Sequence, residues 1–164
     1  MIYPVWKMPL YGGGRRSNKY LVDHMLLRLG KWMRIMGIDT ENAMHGFDDN
    51  MLSIYCNENQ RILVTRDIEF SAAHKNSILI RSTDIREQIK EINSQIPVKR
   101  DDFLTRCVIC NLLLIPYEQT DNGLIHEDVI GKRLQTCPKC GRIFWEGSHT
   151  DNMLKILKEC GVYN

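Results

Sequence analysis

The chain has 164 residues, of which 43% are hydrophobic and 26% are charged, and its formal net charge is +2. This length allows one or two domains, and the apolar share is large enough to bury an ordinary core. No run of about eighteen apolar residues is present, and the first residues lack the apolar core of a signal peptide. We therefore expect a cytoplasmic protein with no membrane partner.

Residues 1–19 form a segment whose charged side chains are all basic. They are Lys7, Arg15, Arg16 and Lys19, and the glycines Gly12–Gly14 lie between them. We expect a flexible basic extension here, because segments of this composition are usually solvated, although they can also contact phosphates.

Strand-like and helix-like segments alternate from Tyr20 onwards. A short apolar strand ends at Asp23, the apolar residues from His24 to Met36 recur with helical spacing, and Gly37 lies where a helix C-cap belongs. The later elements are a helix from Asp48 or Asp49 to about Asn59, a strand over 61–65, a short helix over 68–74, a strand over 77–81 and a helix that begins at Asp84. Such alternation predicts an α/β domain over residues 20–98, with a parallel sheet flanked by helices and a binding crevice at the carboxyl ends of the strands.

Cysteine pairs distinguish the C-terminal part, residues 99–164. Four of the six cysteines form two CxxC motifs, Cys107 with Cys110 and Cys137 with Cys140. Two such turns can present four thiolates at tetrahedral corners, so the pattern predicts a structural zinc ribbon, which we expect to be followed by a C-terminal helix. A redox pair or free thiols fit less well, because redox motifs use one pair on a βαβ unit, whereas iron in the same ligand set stays open.

Acidic residues follow the predicted strands or begin the predicted helices: Asp23, Asp48, Asp49, Asp67 and Asp84. Positions of this kind meet at one edge of a parallel sheet. Clustered carboxylates repel one another unless a cation such as Mg²⁺ or Mn²⁺ is present, and such an ion can activate water for phosphodiester hydrolysis. Helix capping alone explains Asp48, Asp49 and Asp84, whereas Asp23 and Asp67 directly follow apolar strands.

Basic, aromatic and hydroxyl side chains provide candidate contacts to RNA. They are Arg28, Lys31, Arg34, Arg66, Arg142, Trp145, Ser148 and His149. The first three are expected on the polar side of the first helix, where phosphate contact competes with the more common role of a solvated face. Those after residue 141 offer a cation, a stacking face and a hydroxyl, as single-stranded RNA requires, although a structural role within the ribbon is the alternative.

Five blocks, in this order, resemble the PIN-like RNase domain first described at the C-terminus of the Mut-seven exonuclease. They are LVDHMLLRLGKWMRIMGID (21–39), ILVTRD (62–67), TRCVICN (105–111), CPKCG (137–141) and FWEGSH (144–149). The resemblance runs from about Tyr20 to the end and implies a PIN-like fold joined to a zinc ribbon, with metal-dependent ribonuclease activity. The family's first helix usually reads LGRLARWLR, whereas this chain has Gly30 in the helix interior, at a cost of about 1 kcal/mol against alanine, which predicts a looser helix.

The resemblance assigns roles to individual carboxylates. Asp23 matches the first acidic site and Asp67 the one in the TRD motif, while Asp48 is assigned to the intermediate site with Asp49 as its competitor. Asp84 is carried over as the last site. The implied enzyme is an endoribonuclease in which Asp23, Asp48 and Asp67 hold Mg²⁺ or Mn²⁺ and the zinc ribbon assists RNA binding.

Two other functions fit the same residues. One is a non-catalytic RNA-binding or ribosome-associated adaptor that uses the ribbon for recognition. The other is a toxin-type nuclease with a cognate inhibitor. The sequence leaves open which RNA is bound and whether the chain forms a homo-oligomer.

Overall fold

A four-stranded parallel sheet forms the centre of the N-terminal part. The computed structural model describes residues 18–117, 129 and 132–164. The strands are β1 (Lys19–Val22), β2 (Thr40–Asn42), β3 (Arg61–Thr65) and β4 (Ser77–Leu79), in the order β2-β1-β3-β4. The helices that connect or follow them are α1 (Leu27–Ile35, after a 3-10 turn at His24–Leu26), α2 (Asp49–Glu58), α3 (Ile68–Ala73) and α4 (Ile85–Gln95). The predicted α/β class with a parallel sheet flanked by helices is thus confirmed.

Both faces of this sheet are buried, because neighbouring strand residues point to opposite sides. In β1, Tyr20 and Val22 pack into one core cluster, which α1 and α4 also contribute to, while Leu21 packs into a second cluster that includes residues of α2 and α3. In β3, Val64 packs into the first cluster and Leu63 into the second. The apolar run at 61–65 therefore behaves as the buried strand that the sequence indicates.

Sequence patterns missed β2. Its three residues, Thr-Glu-Asn, contain no apolar side chain, yet Tyr20 of β1 pairs in parallel with Thr40. The chain passes from β1 to β2 on one side and then to β3 on the other side of β1. The connections therefore change direction between β1 and β3, which is the switch point where open α/β sheets bind ligands.

The C-terminal part contains a small antiparallel sheet with the order β5-β6-β7. Its strands are β5 (Ile115–Pro116), β6 (Leu134–Thr136) and β7 (Ile143–Trp145). The last helix, α5 (Ser148–Glu159), returns to the α/β core, where Leu157 and Cys160 are buried in the same cluster as β1. An ion pair of 2.6 Å between Arg86 of α4 and Glu159 adds to this contact.

Gly30 lets α1 approach the sheet closely. A Cβ atom at this position would lie 2.7 Å from Asn42 Oδ1 and 2.7 Å from Val22 Cγ2. Gly30 is itself buried. The glycine therefore permits tight helix–sheet packing, which its low helix propensity alone does not reveal.

Of the predicted N-terminal extension, residues 1–19, only residues 18 and 19 are described by the structure. Lys19 is already the first residue of β1. Within the described part of the chain, no helix has both the length and the apolar character that crossing a membrane requires.

Candidate functional site

The sulfur atoms of four cysteines converge at one point. The Sγ atoms of Cys107, Cys110, Cys137 and Cys140 all lie within 4.8 Å of one another. Tetrahedral corners at a Zn–S bond length of about 2.3 Å are about 3.8 Å apart. The Sγ atoms of Cys107 and Cys140 are separated by 3.8 Å. The predicted cysteines can therefore hold a metal such as zinc, as in a zinc ribbon.

The two CxxC turns have matching backbone geometry. Asn111 N–H donates to the carbonyl oxygen of Cys107 at 2.9 Å, and Gly141 N–H donates to that of Cys137 at 2.9 Å. The residues after each motif are left-handed, with φ of 63° at Asn111 and 68° at Gly141. Glycine and asparagine adopt this conformation most readily. In the first turn, the N–H of Cys110 already points at Cys107 Sγ, at 3.4 Å.

The crowded thiols do not ionise alike. Desolvation, reinforced by the neighbouring thiols, raises the pKa of Cys110 to about 12. Desolvation also acts to raise the pKa of Cys137, but N–H groups of Cys140 and Lys139 and the adjacent thiols bring it down to about 7. Four thiolates at this spacing need a cation to offset their repulsion, and divalent zinc is the usual one.

Asn111 joins the first CxxC turn to the α/β domain. Its Oδ1 accepts from Thr40 N–H at 2.9 Å, and its Nδ2 donates to Asp39 Oδ1 at 2.8 Å. Asp39 also accepts from Arg61 at 2.8 Å, and Arg106 lies 3.7 Å from its other oxygen. Burial acts to raise the pKa of Asp39, but the hydrogen bonds from Arg61 and Asn111 and the charge of Arg106 hold it below its ordinary value.

Arg34 makes the second connection, from inside the molecule. It is 2% exposed, and its Nε donates to the carbonyl of Val108, within the first CxxC motif, at 2.8 Å. Its Nη1 donates to Thr40 O at 3.0 Å and to Asn42 Oδ1 at 2.9 Å. The predicted position of Arg34 on the polar side of α1 is therefore wrong, because β2 and the cysteine turn cover it, and a phosphate contact is no longer expected there.

Asp23 lies at the switch point, directly after β1. It is 6% exposed. Its Oδ1 accepts from Met25 N–H at 2.9 Å, and its Oδ2 accepts from the hydroxyl of Thr65 and, at 3.4 Å, from the N–H of Arg66. The carboxylate is thus held in one orientation by the 3-10 turn that follows β1 and by the carboxyl end of β3.

Thr65 connects Asp23 to Asp67. Its buried hydroxyl donates to Asp23 and accepts from Asp67 N–H at 3.0 Å. Asp67 is exposed, and its Oδ1 caps α3 by accepting from Phe70 N–H at 2.8 Å. The sequence-based search missed Thr65, although a hydroxyl residue at the end of an apolar strand and beside an Arg-Asp pair is a recognisable signal.

Two of the other predicted carboxylates, Asp48 and Asp84, also cap helices. Asp48 Oδ1 accepts from Met51 N–H at 2.8 Å at the start of α2, and Asp84 Oδ1 accepts from Arg86 N–H at 2.9 Å at the start of α4. Asp49 is exposed in the first turn of α2. Within the described residues, no group of three or more carboxylates or histidines is placed to hold a metal ion. The carboxylates of Asp23, Asp48, Asp67 and Asp84 therefore share a helix-capping role without forming a closed cage.

Most of the candidate RNA contacts are at the surface. The exposed ones are Arg28, Lys31, Arg142, Trp145, Ser148 and His149. Trp145 is 42% exposed on β7, so part of its side chain can be reached from solvent. Arg66 is partly buried beside Asp23 and Asp67.

These features define an α/β protein with a parallel sheet, a polar switch point and a four-cysteine metal site. The model of the Mut7-C RNAse domain family matches residues 18–157, which is most of the chain. The chain belongs to the Mut7-C RNAse domain family, as its sequence blocks predict. No curated protein and no solved structure matches it.

Proposed function

We propose that this chain is a metal-dependent endoribonuclease whose active site lies at the switch point between β1 and β3. One observation carries the proposal: the buried carboxylate of Asp23 is held by Thr65, whose hydroxyl also contacts the backbone of Asp67. Open α/β sheets bind their ligands at this switch point, and a buried carboxylate held in one orientation there is typical of an active site. Membership of an RNase domain family supports RNA as the substrate.

The residues at this edge suit Mg²⁺ or Mn²⁺, which prefer oxygen ligands. Mg²⁺ commonly uses one or two protein carboxylates together with water and substrate phosphates, so a closed carboxylate cage is not needed. Asp23 and Asp67 would hold the ion, with Asp48 as the third member and Asp49 as its competitor. When bound, it would supply an activated water molecule and neutralise phosphate charge.

The chain's own groups would position the substrate. Thr65 fixes the Asp23 carboxylate, and the first turns of α2 and α3 bring the positive ends of their dipoles to the edge where RNA phosphate would lie. In the reaction, a water oxygen would bond to phosphorus and release a proton to solvent, the phosphorus–ester oxygen bond would break, and the leaving oxygen would take up a proton. Asp84, which follows the edge strand β4, would be the outermost acidic residue of the site.

The ribbon would assist RNA binding. Trp145 exposes enough of its ring to stack on a base, and Arg142 is exposed in the same hairpin. Ser148 and His149 begin α5 and are also exposed. Arg28 and Lys31, exposed on α1, would contact phosphates.

The proposal is tested by cleavage of labelled single-stranded and structured RNAs by the zinc-loaded protein, with Mg²⁺, with Mn²⁺ and without added divalent ion. Asp67→Asn is the most informative variant, because asparagine caps a helix as well as aspartate does but is a poor ligand for a hard cation. We expect it to lose cleavage and keep its melting temperature. Asp101→Asn, at an exposed carboxylate of the 3-10 turn Arg100–Asp102, is the matched control.

Asp23→Asn is the second variant, and its fold must be measured as well. Asparagine offers one acceptor oxygen where Asp23 uses two, so part of any loss would be structural, of roughly 1–3 kcal/mol. Cleavage that persists in Asp67→Asn would show that Asp67 takes no part in the reaction. Cleavage that persists without a divalent ion would show that the reaction does not depend on Mg²⁺ or Mn²⁺.

The competing function is the non-catalytic RNA-binding adaptor, which the capping roles of the four aspartates favour. An adaptor would bind the same RNAs equally well before and after EDTA removes Mg²⁺ or Mn²⁺ from the carboxylates, provided that the zinc stays bound. It would never shorten these RNAs. RNA binding without cleavage under all metal conditions would therefore replace the nuclease with the adaptor.

A further inference from the structure

The backbone of Arg66 lies beside the two principal carboxylates of the proposed active site. It follows β3 directly and precedes Asp67, and its N–H points at Asp23 Oδ2 at 3.4 Å. Its side chain is partly buried. The position alone would suggest an ion pair with one of these carboxylates.

Among the described residues, Arg66 forms no salt bridge, and its buried Nε has no hydrogen-bond partner. Arg61 also leaves Nε unpaired, but Asp39 and Glu41 neutralise its charge. Nε is closed to solvent, so an incoming anion would meet the part of the Arg66 side chain that stays exposed, whose positive charge has no carboxylate partner among the described residues.

We infer that the guanidinium of Arg66 binds the non-bridging oxygens of the RNA phosphate that is cleaved, an inference that rests on the proposed nuclease function. Its planar fork matches two phosphate oxygens, which a carboxylate-lined site would otherwise repel. Negative charge on these oxygens is stabilised most when the donor is already in place. Arg66 forms no covalent bond and transfers no proton in this role.

The decisive measurement is the single-turnover cleavage rate of labelled RNA in Mn²⁺ for Arg66→Ala, Arg66→Lys and the wild-type chain. Loss of one oriented electrostatic donor lowers a rate by about 10²–10³-fold, and we expect this for Arg66→Ala. Lysine should restore part of the rate, and guanidinium ion added to Arg66→Ala should restore part of it too. Because Arg66 Nε has no hydrogen-bond partner and the side chain forms no salt bridge among the described residues, the melting temperature of Arg66→Ala should not fall.

Arg81→Ala is the matched control. Arg81 lies just beyond the carboxyl end of the neighbouring strand β4 and is exposed. Its cleavage rate should stay within about twofold of the wild type, since it is one strand further from Asp23. Equal losses in Arg66→Ala and Arg81→Ala would reduce Arg66 to part of a general basic surface and overturn the inference.

A binding measurement separates failure of this inference from failure of the nuclease. With Ca²⁺ in place of Mn²⁺, the dependence of single-stranded RNA affinity on salt counts phosphate contacts, at about 0.7 per contact. Arg66→Ala should lower this slope by about 0.7 and Arg81→Ala should not. If the wild type never cleaves RNA but the slope falls, the nuclease is wrong and Arg66 remains a phosphate ligand. An unchanged slope together with an unchanged cleavage rate overturns the inference.

Discussion

Replacing Arg34 with methionine tests the connection between the metal site and the sheet. The side chain is 2% exposed and donates to Val108 O, Thr40 O and Asn42 Oδ1 at 2.8–3.0 Å. Methionine fills a similar volume but leaves all three acceptors without this donor. Leaving a buried acceptor without its donor costs about 1–3 kcal/mol, so the loss of several such bonds is a large part of the 5–15 kcal/mol that stabilises an ordinary domain.

The assay is urea unfolding of the zinc-loaded protein, together with the rate of zinc release to a colorimetric chelator. We expect Arg34→Met to unfold at lower urea concentration and to release zinc several-fold faster, because Val108 lies between Cys107 and Cys110. Arg34→Lys should be intermediate, since lysine keeps the charge but lacks the fork that reaches separate acceptors.

Arg28→Met is the control, because Arg28 is exposed on the same helix. Its unfolding free energy should change by less than about 0.5 kcal/mol. An Arg34→Met protein with wild-type stability and wild-type zinc release would refute the claim that this arginine holds the cysteine turn against β2.

Three further predictions concern the same framework. Asp39→Asn should lower stability by about 2–3 kcal/mol at neutral pH, because it removes a charged acceptor shared by Arg61 and Asn111. The pKa of Asp39 in the folded protein lies below its unfolded value of about 3.9, so its contribution to the unfolding free energy is present above that pH and is lost as the pH falls through the folded pKa. Urea midpoints measured from pH 5 to pH 2 should therefore decline less steeply in Asp39→Asn than in the wild type. Parallel curves would contradict this prediction. Gly30→Ala should destabilise the protein by about 1–3 kcal/mol despite the better helix propensity of alanine, because its Cβ would lie 2.7 Å from Val22 and Asn42; a raised melting temperature would show that these atoms can move aside. Removal of the metal from the four-cysteine site with a strong chelator should lower the melting temperature by about 10 °C, for a metal concentration of about 1,000 times its dissociation constant. Calorimetry of the metal-loaded and metal-free protein measures this difference. An unchanged transition would mean that the cysteine site does not stabilise the fold.

The sequence alone determined the features that depend on local chemistry. Two CxxC motifs predict a metal site wherever the chain brings them together, and the apolar runs that contain Val22 and Val64 predict buried strands. Aspartates before helical segments predict the caps that Asp48 and Asp84 form. These predictions succeed because a few neighbouring residues contain the whole physical reason for each feature.

The tertiary structure decided the features that depend on distant partners. Strand β2 is polar and short, and it forms because β1 pairs with it and because Asn111 and Arg34 satisfy the backbone groups of Thr40. Arg34 looks like a surface residue by helical spacing, but a segment 74 positions away in the chain covers it. The return of α5 to the α/β core is of the same kind. No local pattern encodes such contacts, since their free energy comes from groups that meet only after the chain has folded.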